Sequence, residues 1–125
     1  MNEKKRILCI EDQNEMIALF RLILEQTDYQ VVGAIGGAEG LRQAREHKPD
    51  VILLDLMMPG MDGWEVFKQL KSDPATQHVP VVVVTARSEG IDKLLGLHIA
   101  KVDDYITKPF GPNELLASVN RVLKP

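Results

Sequence analysis

The chain has one cysteine, no excess of positive charge, no long apolar run, no internal repeat and no low-complexity tract or linker. Each absence removes a class of protein. With Cys9 alone there is no disulfide framework, and its place inside Ile7-Leu8-Cys9-Ile10 favours a buried, inert thiol. Behind the charged Met-Asn-Glu-Lys-Lys-Arg start, that run is far too short for a signal peptide or a membrane span, so the expected location is the cytoplasm, away from the membrane. Fifteen Lys and Arg against 18 Asp and Glu give a net charge of -3, which argues against a broad nucleic-acid surface and for no direct nucleic-acid binding. His47, His78 and His98 are far apart and lack the spacing of metal ligands. What remains is 125 residues, 45% hydrophobic and 26% charged, enough for one packed core; a single domain over 1–125 is expected.

Apolar runs of strand type recur at Ile7 to Ile10, Val31 to Ile35, Val51 to Leu54, Val79 to Val84 and Tyr105 to Ile106. Stretches of helical period separate them: Met16, Leu19, Phe20, Ile23 and Leu24; a weaker stripe at Ala38, Leu41 and Ala44; Val66, Phe67 and Leu70; then Ile91, Leu94, Leu95 and His98 or Ile99. Leu115, Leu116, Val119, Val122 and Leu123 form a fifth, with Pro112 suited to its first turn. Strict alternation predicts an α/β domain, a single doubly wound parallel sheet of five strands with five helices on its two faces.

In such a sheet, chemistry collects outside the carboxyl ends of the strands. There the sequence places Glu11 and Asp12 after the first strand, Asp55 at the end of the third, Thr85 after the fourth and Lys108 after the fifth. Taken singly, Glu11 and Asp12 would also suit a helix cap, Asp55 a turn before Pro59-Gly60, Thr85 a structural hydroxyl and Lys108 a solvated charge. Together they form a set. Converging carboxylates repel, and a divalent cation relieves them; oxygen ligands without His or Cys favour Mg²⁺. A lysine and a hydroxyl beside them suit a phosphoryl group, with Asp55 able to serve as nucleophile for an acyl phosphate.

Ile10-Glu11-Asp12, Leu54-Asp55-Leu56-Met57-Met58-Pro59-Gly60-Met61-Asp62-Gly63, Val84-Thr85-Ala86 and Asp103-Asp104-Tyr105-Ile106-Thr107-Lys108-Pro109-Phe110 closely resemble, in order and spacing, the receiver domain of bacterial two-component response regulators. The resemblance spans essentially the whole chain. It implies the flavodoxin-like receiver fold, with strand order 2-1-3-4-5; over 1–125 the expectation is a receiver domain alone, with no effector domain. By it, Asp55 accepts a phosphoryl group from a phosphohistidine on a sensor histidine kinase or a phosphotransfer protein. Asp12, Asp55 and the carbonyl of Met57 bind Mg²⁺ directly and Glu11 acts mostly through water. Lys108 pairs with Asp55, then with a phosphoryl oxygen, and Thr85 and the N–H of Ala86 hold another. Lys108–Pro109 is cis. Thr85, Tyr105 and Pro109 belong to the switch, Tyr105 turning inward as Thr85 moves toward the phosphoryl group. The fourth helix, fifth strand and fifth helix form the readout surface for an output domain, a downstream protein or a phosphorylation-dependent homodimer. Such a domain phosphorylates and dephosphorylates itself without being a turnover enzyme.

The chain departs from the pattern at Ala100-Lys101-Val102-Asp103-Asp104-Tyr105, which is one residue longer than the usual Gly-Ala-Asp-Asp-Tyr and lacks its glycine, removing a common helix stop. Ser118 stands where receivers of the winged-helix DNA-binding subfamily tend to carry Arg, which leaves Lys93, Asp103 and Asp104 as the charges for a related dimer interface. Met57 and Arg87 stand where receivers tune dephosphorylation, and Trp64 is expected to pack at a helix start. A haloacid-dehalogenase-type phosphatase would want its nucleophile after the first strand with a second Asp two residues on, and Glu11-Asp12-Gln13-Asn14 lacks this. A flavin carrier would want a hydroxyl- and Gly-rich loop there, also absent. The remaining rival is a protein-binding receiver-like module that works without phosphorylation.

Overall fold

A computed structural model describes residues 4–56, 58, 62–86 and 102–124. Five strands, β1 (Lys5–Glu11), β2 (Tyr29–Ile35), β3 (Val51–Asp55), β4 (Val81–Ala86) and β5 (Asp104–Lys108), pair in parallel in the order β2-β1-β3-β4-β5. Four helices are present among the described residues: α1 (Asn14–Leu24), α2 (Gly37–His47), α3 (Gly63–Ser72) and α4 (Pro112–Leu123). The helix expected around Ile91 to Ile99 lies outside the described residues, so α4 is the fifth of the sequence pattern.

The apolar runs are unbroken because both faces of the sheet are covered. Successive side chains point to opposite faces. Ile7, Cys9, Val51, Leu53, Val82, Val84 and Ile106 therefore pack with Phe20, Ile23, Leu24, Leu115 and Val119 of α1 and α4. Leu8, Ile10, Ile52, Leu54, Val81 and Val83 pack on the other side with Ala44 of α2 and Val66, Phe67 and Leu70 of α3. The single cysteine is buried in the first layer, where desolvation raises its thiol pKa well above the ordinary range, and it behaves as a small hydrophobe.

The weak stripe of α2 has a packing cause. Its buried residues are Gly37, Gly40 and Ala44, which carry almost no side chain. A Cβ on Gly40 would fall 2.6 Å from Ile10 Cγ2, so this helix gains contact through close approach rather than apolar bulk. Strand β4 begins two residues later than the apolar run suggests, at Val81. Val79 is buried but belongs to the preceding turn, its N–H donating to the Thr76 carbonyl at 3.0 Å, while the Pro80 carbonyl accepts from Ile52.

Candidate functional site

Period two decides which strand-end residues meet. Glu11 continues the row Ile7, Cys9; Asp55 continues Val51, Leu53; Lys108 continues Ile106. All three rows face α1 and α4, and parallel pairing brings their carboxyl ends to one edge. The Lys108 ammonium lies 3.1 Å from Glu11 Oε2 and 3.3 Å from Asp55 Oδ2. The two acids are nearly sealed from solvent and the lysine is half-buried: the side chains of Glu11, Asp55 and Lys108 are 1%, 3% and 20% exposed. Asp12 is half-buried, and its backbone N–H donates to Glu11 Oε1 at 3.2 Å. Both carboxylate oxygens of Glu11 are thus engaged by protein donors.

One carboxylate oxygen from each of Glu11, Asp12 and Asp55 falls in a cluster no wider than 4.8 Å, the one such group of potential metal ligands among the described residues. Glu11 shows what this crowding does. Burial, first, and then its hydrogen bond to Asp55 and the charge of that carboxyl raise its pKa to about 8, against the opposing pull of Lys108. One ammonium is not enough for three acids. An all-oxygen, acid-rich cluster in partial contact with solvent fits a hard divalent cation that retains waters, which is the donor chemistry of Mg²⁺.

The exit from β3 is held by close packing. A Cβ on Gly63 would sit 2.4 Å from Leu56 Cα and 2.7 Å from the Asp55 carbonyl oxygen, and the Gly63 N–H donates to the Leu56 carbonyl at 3.2 Å. Asp62 caps α3, its side chain accepting from the Trp64 N–H at 2.9 Å. Trp64 itself packs edge-on against Phe67, centroids 6.0 Å apart, as expected of a residue at a helix start.

The other predicted residues divide. Thr85 and Ala86 are the last residues of β4, paired with Thr107 and Lys108, which puts their backbone at the same edge. The Thr85 side chain, Met57, Arg87, Lys93, Ala100 and Lys101 lie outside the described residues. Lys108–Pro109 is cis, and Pro109 is exposed. Tyr105 is half-buried and packs on the α2/α3 layer, the opposite face from Lys108. Of the unusual segment, Asp103 accepts from the Val81 N–H at 2.7 Å and lies 3.8 Å from Lys71 Nζ. Asp104 accepts from Ser118 Oγ at 2.6 Å and from the Tyr105 N–H at 2.8 Å, with Arg121 at 3.2 Å. Ser118 therefore ties α4 to β5 within the chain.

A doubly wound 2-1-3-4-5 sheet whose strand ends gather an acidic pair, an aspartate and a lysine is the architecture of a phosphorylation-responsive receiver. The chain belongs to the response regulator receiver domain family, whose model matches residues 7–120. It is 42% identical to the alkaline phosphatase synthesis transcriptional regulatory protein PhoP of Bacillus subtilis over 96% of this chain and 49% of that protein. It is 37% identical to protein PilH of Pseudomonas aeruginosa, over 94% of this chain and 97% of that one. The chain thus spans about half the length of PhoP and nearly all of PilH. A crystal structure of a putative response regulator from Chloroflexus aurantiacus superposes with a TM-score of 0.89 at 31% identity, covering 96% of this chain and 98% of that one. No helix among the described residues is long and apolar enough to cross a membrane.

Proposed function

We propose that Asp55 is the phosphoryl acceptor of this receiver and that its donor is a phosphohistidine on a sensor histidine kinase or a phosphotransfer protein. The observation that carries the reading is the buried carboxylate of Asp55 at a strand end, 3.3 Å from Lys108 and clustered with Glu11 and Asp12. An Asp55 carboxylate oxygen forms a bond to phosphorus as the N–P bond of the donor breaks; the imidazole nitrogen keeps the electron pair and takes up a proton from solvent. Mg²⁺, held by Asp12, Asp55 and the Met57 carbonyl, would neutralise the carboxylates and the phosphoryl oxygens. Glu11 serves at one remove. With one oxygen on Lys108 and the other on the Asp12 N–H, it orients both neighbours and reaches the ion mostly through water.

Lys108 then follows the charge from Asp55 to a phosphoryl oxygen, and Thr85 with the Ala86 N–H holds a second. The added charge, nearly two units, redistributes two states of the domain through Thr85, Tyr105 and the fourth helix of the sequence pattern. The domain is a switch and not a turnover enzyme, working in the cytoplasm on an output domain or downstream protein, or through a homodimer on the β5 and α4 side. Acetyl phosphate with Mg²⁺ should add one phosphoryl group to the intact mass of the parent and none to an Asp55→Asn variant. A parent that binds Mg²⁺ and gains no mass would remove the acceptor assignment and favour a module that binds without phosphorylation.

A further inference from the structure

Lys108 carries its ammonium on a flexible four-carbon stem, so its aim depends on how firmly the backbone beneath it is held. Between β5 and α4 lie Pro109, Phe110 and Gly111. Pro109 and Gly111 are exposed; Phe110 is half-buried and packs into the α1/α4 layer. Its ring stacks on Phe20, with centroids 5.6 Å apart and planes 6° from parallel, within the preferred range for aromatic pairs. Phe20 is 2% exposed in the middle of α1, the helix that starts just beyond Glu11 and Asp12. The stacked rings therefore join the element that follows the acidic pair to the segment that follows the lysine, on the sheet face that Glu11, Asp55 and Lys108 share.

We propose that Phe20 and Phe110 are positioning residues for Lys108, their stack fixing the 108–111 segment against α1 so that the ammonium rests within reach of Asp55. The inference rests on the reading of Asp55 as acceptor. Leucine at 110 keeps apolar volume but loses the flat ring face, which lets the segment slide along α1. Phosphoryl transfer depends steeply on placement, so a small slide is costly in rate.

The test follows acetyl phosphate labelling of the full chain by intact mass, at saturating Mg²⁺, for the parent, Phe110→Leu, Phe20→Leu, Lys108→Ala and the double variant Phe110→Leu/Lys108→Ala. Circular dichroism checks folding and calorimetry measures Mg²⁺ affinity. Phe110→Leu should slow labelling about 10- to 100-fold with Mg²⁺ affinity unchanged. Its effect should vanish once Lys108 is alanine, because two residues acting through one group are not additive. Should Phe20→Leu fail to fold, the half-buried position 110 carries the test. An unchanged rate for Phe110→Leu overturns the proposal and leaves the acceptor standing; so does an equal loss with and without Lys108, which would mark a general structural effect. A parent that is not labelled at all removes both readings.

Discussion

Glu11 and Glu39 are the same residue in opposite settings. Glu11, at the end of β1, is buried beside Asp55 and has its pKa raised to about 8; Glu39, in the first turn of α2, is in contact with solvent and has its pKa lowered to about 2. Each has a cationic neighbour: Lys108 at 3.1 Å for Glu11, and Arg42, which also reaches Glu46, for Glu39. The cation alone does not set the direction. Glu39 meets hydrogen bonds from Arg42 and Gln43 with little desolvation, so its charged form is favoured. Glu11 loses water and shares its cation with a second acid, so its neutral form is favoured. A surface ion pair is a local convenience, whereas the strand-end set is an unmet demand for positive charge.

The largest effect should come from removing the cation at the buried set. Lys108→Ala leaves two sealed carboxylates without their ammonium, and urea unfolding at pH 8.5 in EDTA should show a loss of about 2 kcal/mol, below the 3–5 of a fully buried pair because Lys108 retains some solvent contact. An unchanged midpoint would mean that the acids already carry a proton or that water reaches them. A smaller and more diagnostic effect lies in the pH profile. The native pKa of Glu11 lies above its unfolded value, so the folded form holds the extra proton. Its contribution is therefore full below the ordinary glutamate range and is lost as pH rises through about 8. In EDTA the Tm should fall across that window, Glu11→Gln should flatten the fall, and Mg²⁺ should shrink it. A parent profile that is already flat would break the contrast. Least of all, Glu39→Gln should leave the urea midpoint near the parent's at neutral pH. Glu39 has a depressed pKa, so its contribution is present above the ordinary range and disappears only as pH falls toward about 2. Equal sensitivity of Glu39 and Glu11 would show that burial is not the deciding variable.

The sheet was readable because β1, β3 and β4 are apolar on both faces, as strands covered by helices on both sides are, and helical stretches alternate with them along the chain. Parallel topology brought Glu11, Asp55 and Lys108 to one edge, and the alternation of side chains along each strand put them on one face. Other features left weaker traces. α2 meets Ile10 through Gly40, so its tightest contact is invisible to any count of apolar residues. The true start of β4 is hidden because Val79 is buried whether it is strand or turn. In the site, Asp62-Gly63 stood within the family pattern, yet the approach of Gly63 to the Leu56 backbone emerges only in three dimensions; glycine next to a capping aspartate was the available signal. Phe20 read as one member of a helical stripe, and nothing in one dimension pairs it with Phe110. The bond from Ser118 to Asp104 was equally hidden, since a serine in an apolar stripe carries no address.

The contacts of Lys108 span 97 positions to Glu11 and 53 to Asp55. Such separations make the centre one of the last things a growing chain can complete, because loop closure over that length must precede the attraction that rewards it. A nascent chain that has made β1 through β4 already has its acids and not yet its ammonium. The final strand therefore does more than finish the sheet: until it docks, the acidic edge is self-repelling. The partial relief that one ammonium gives this edge is thus a property of a fold that already includes β5.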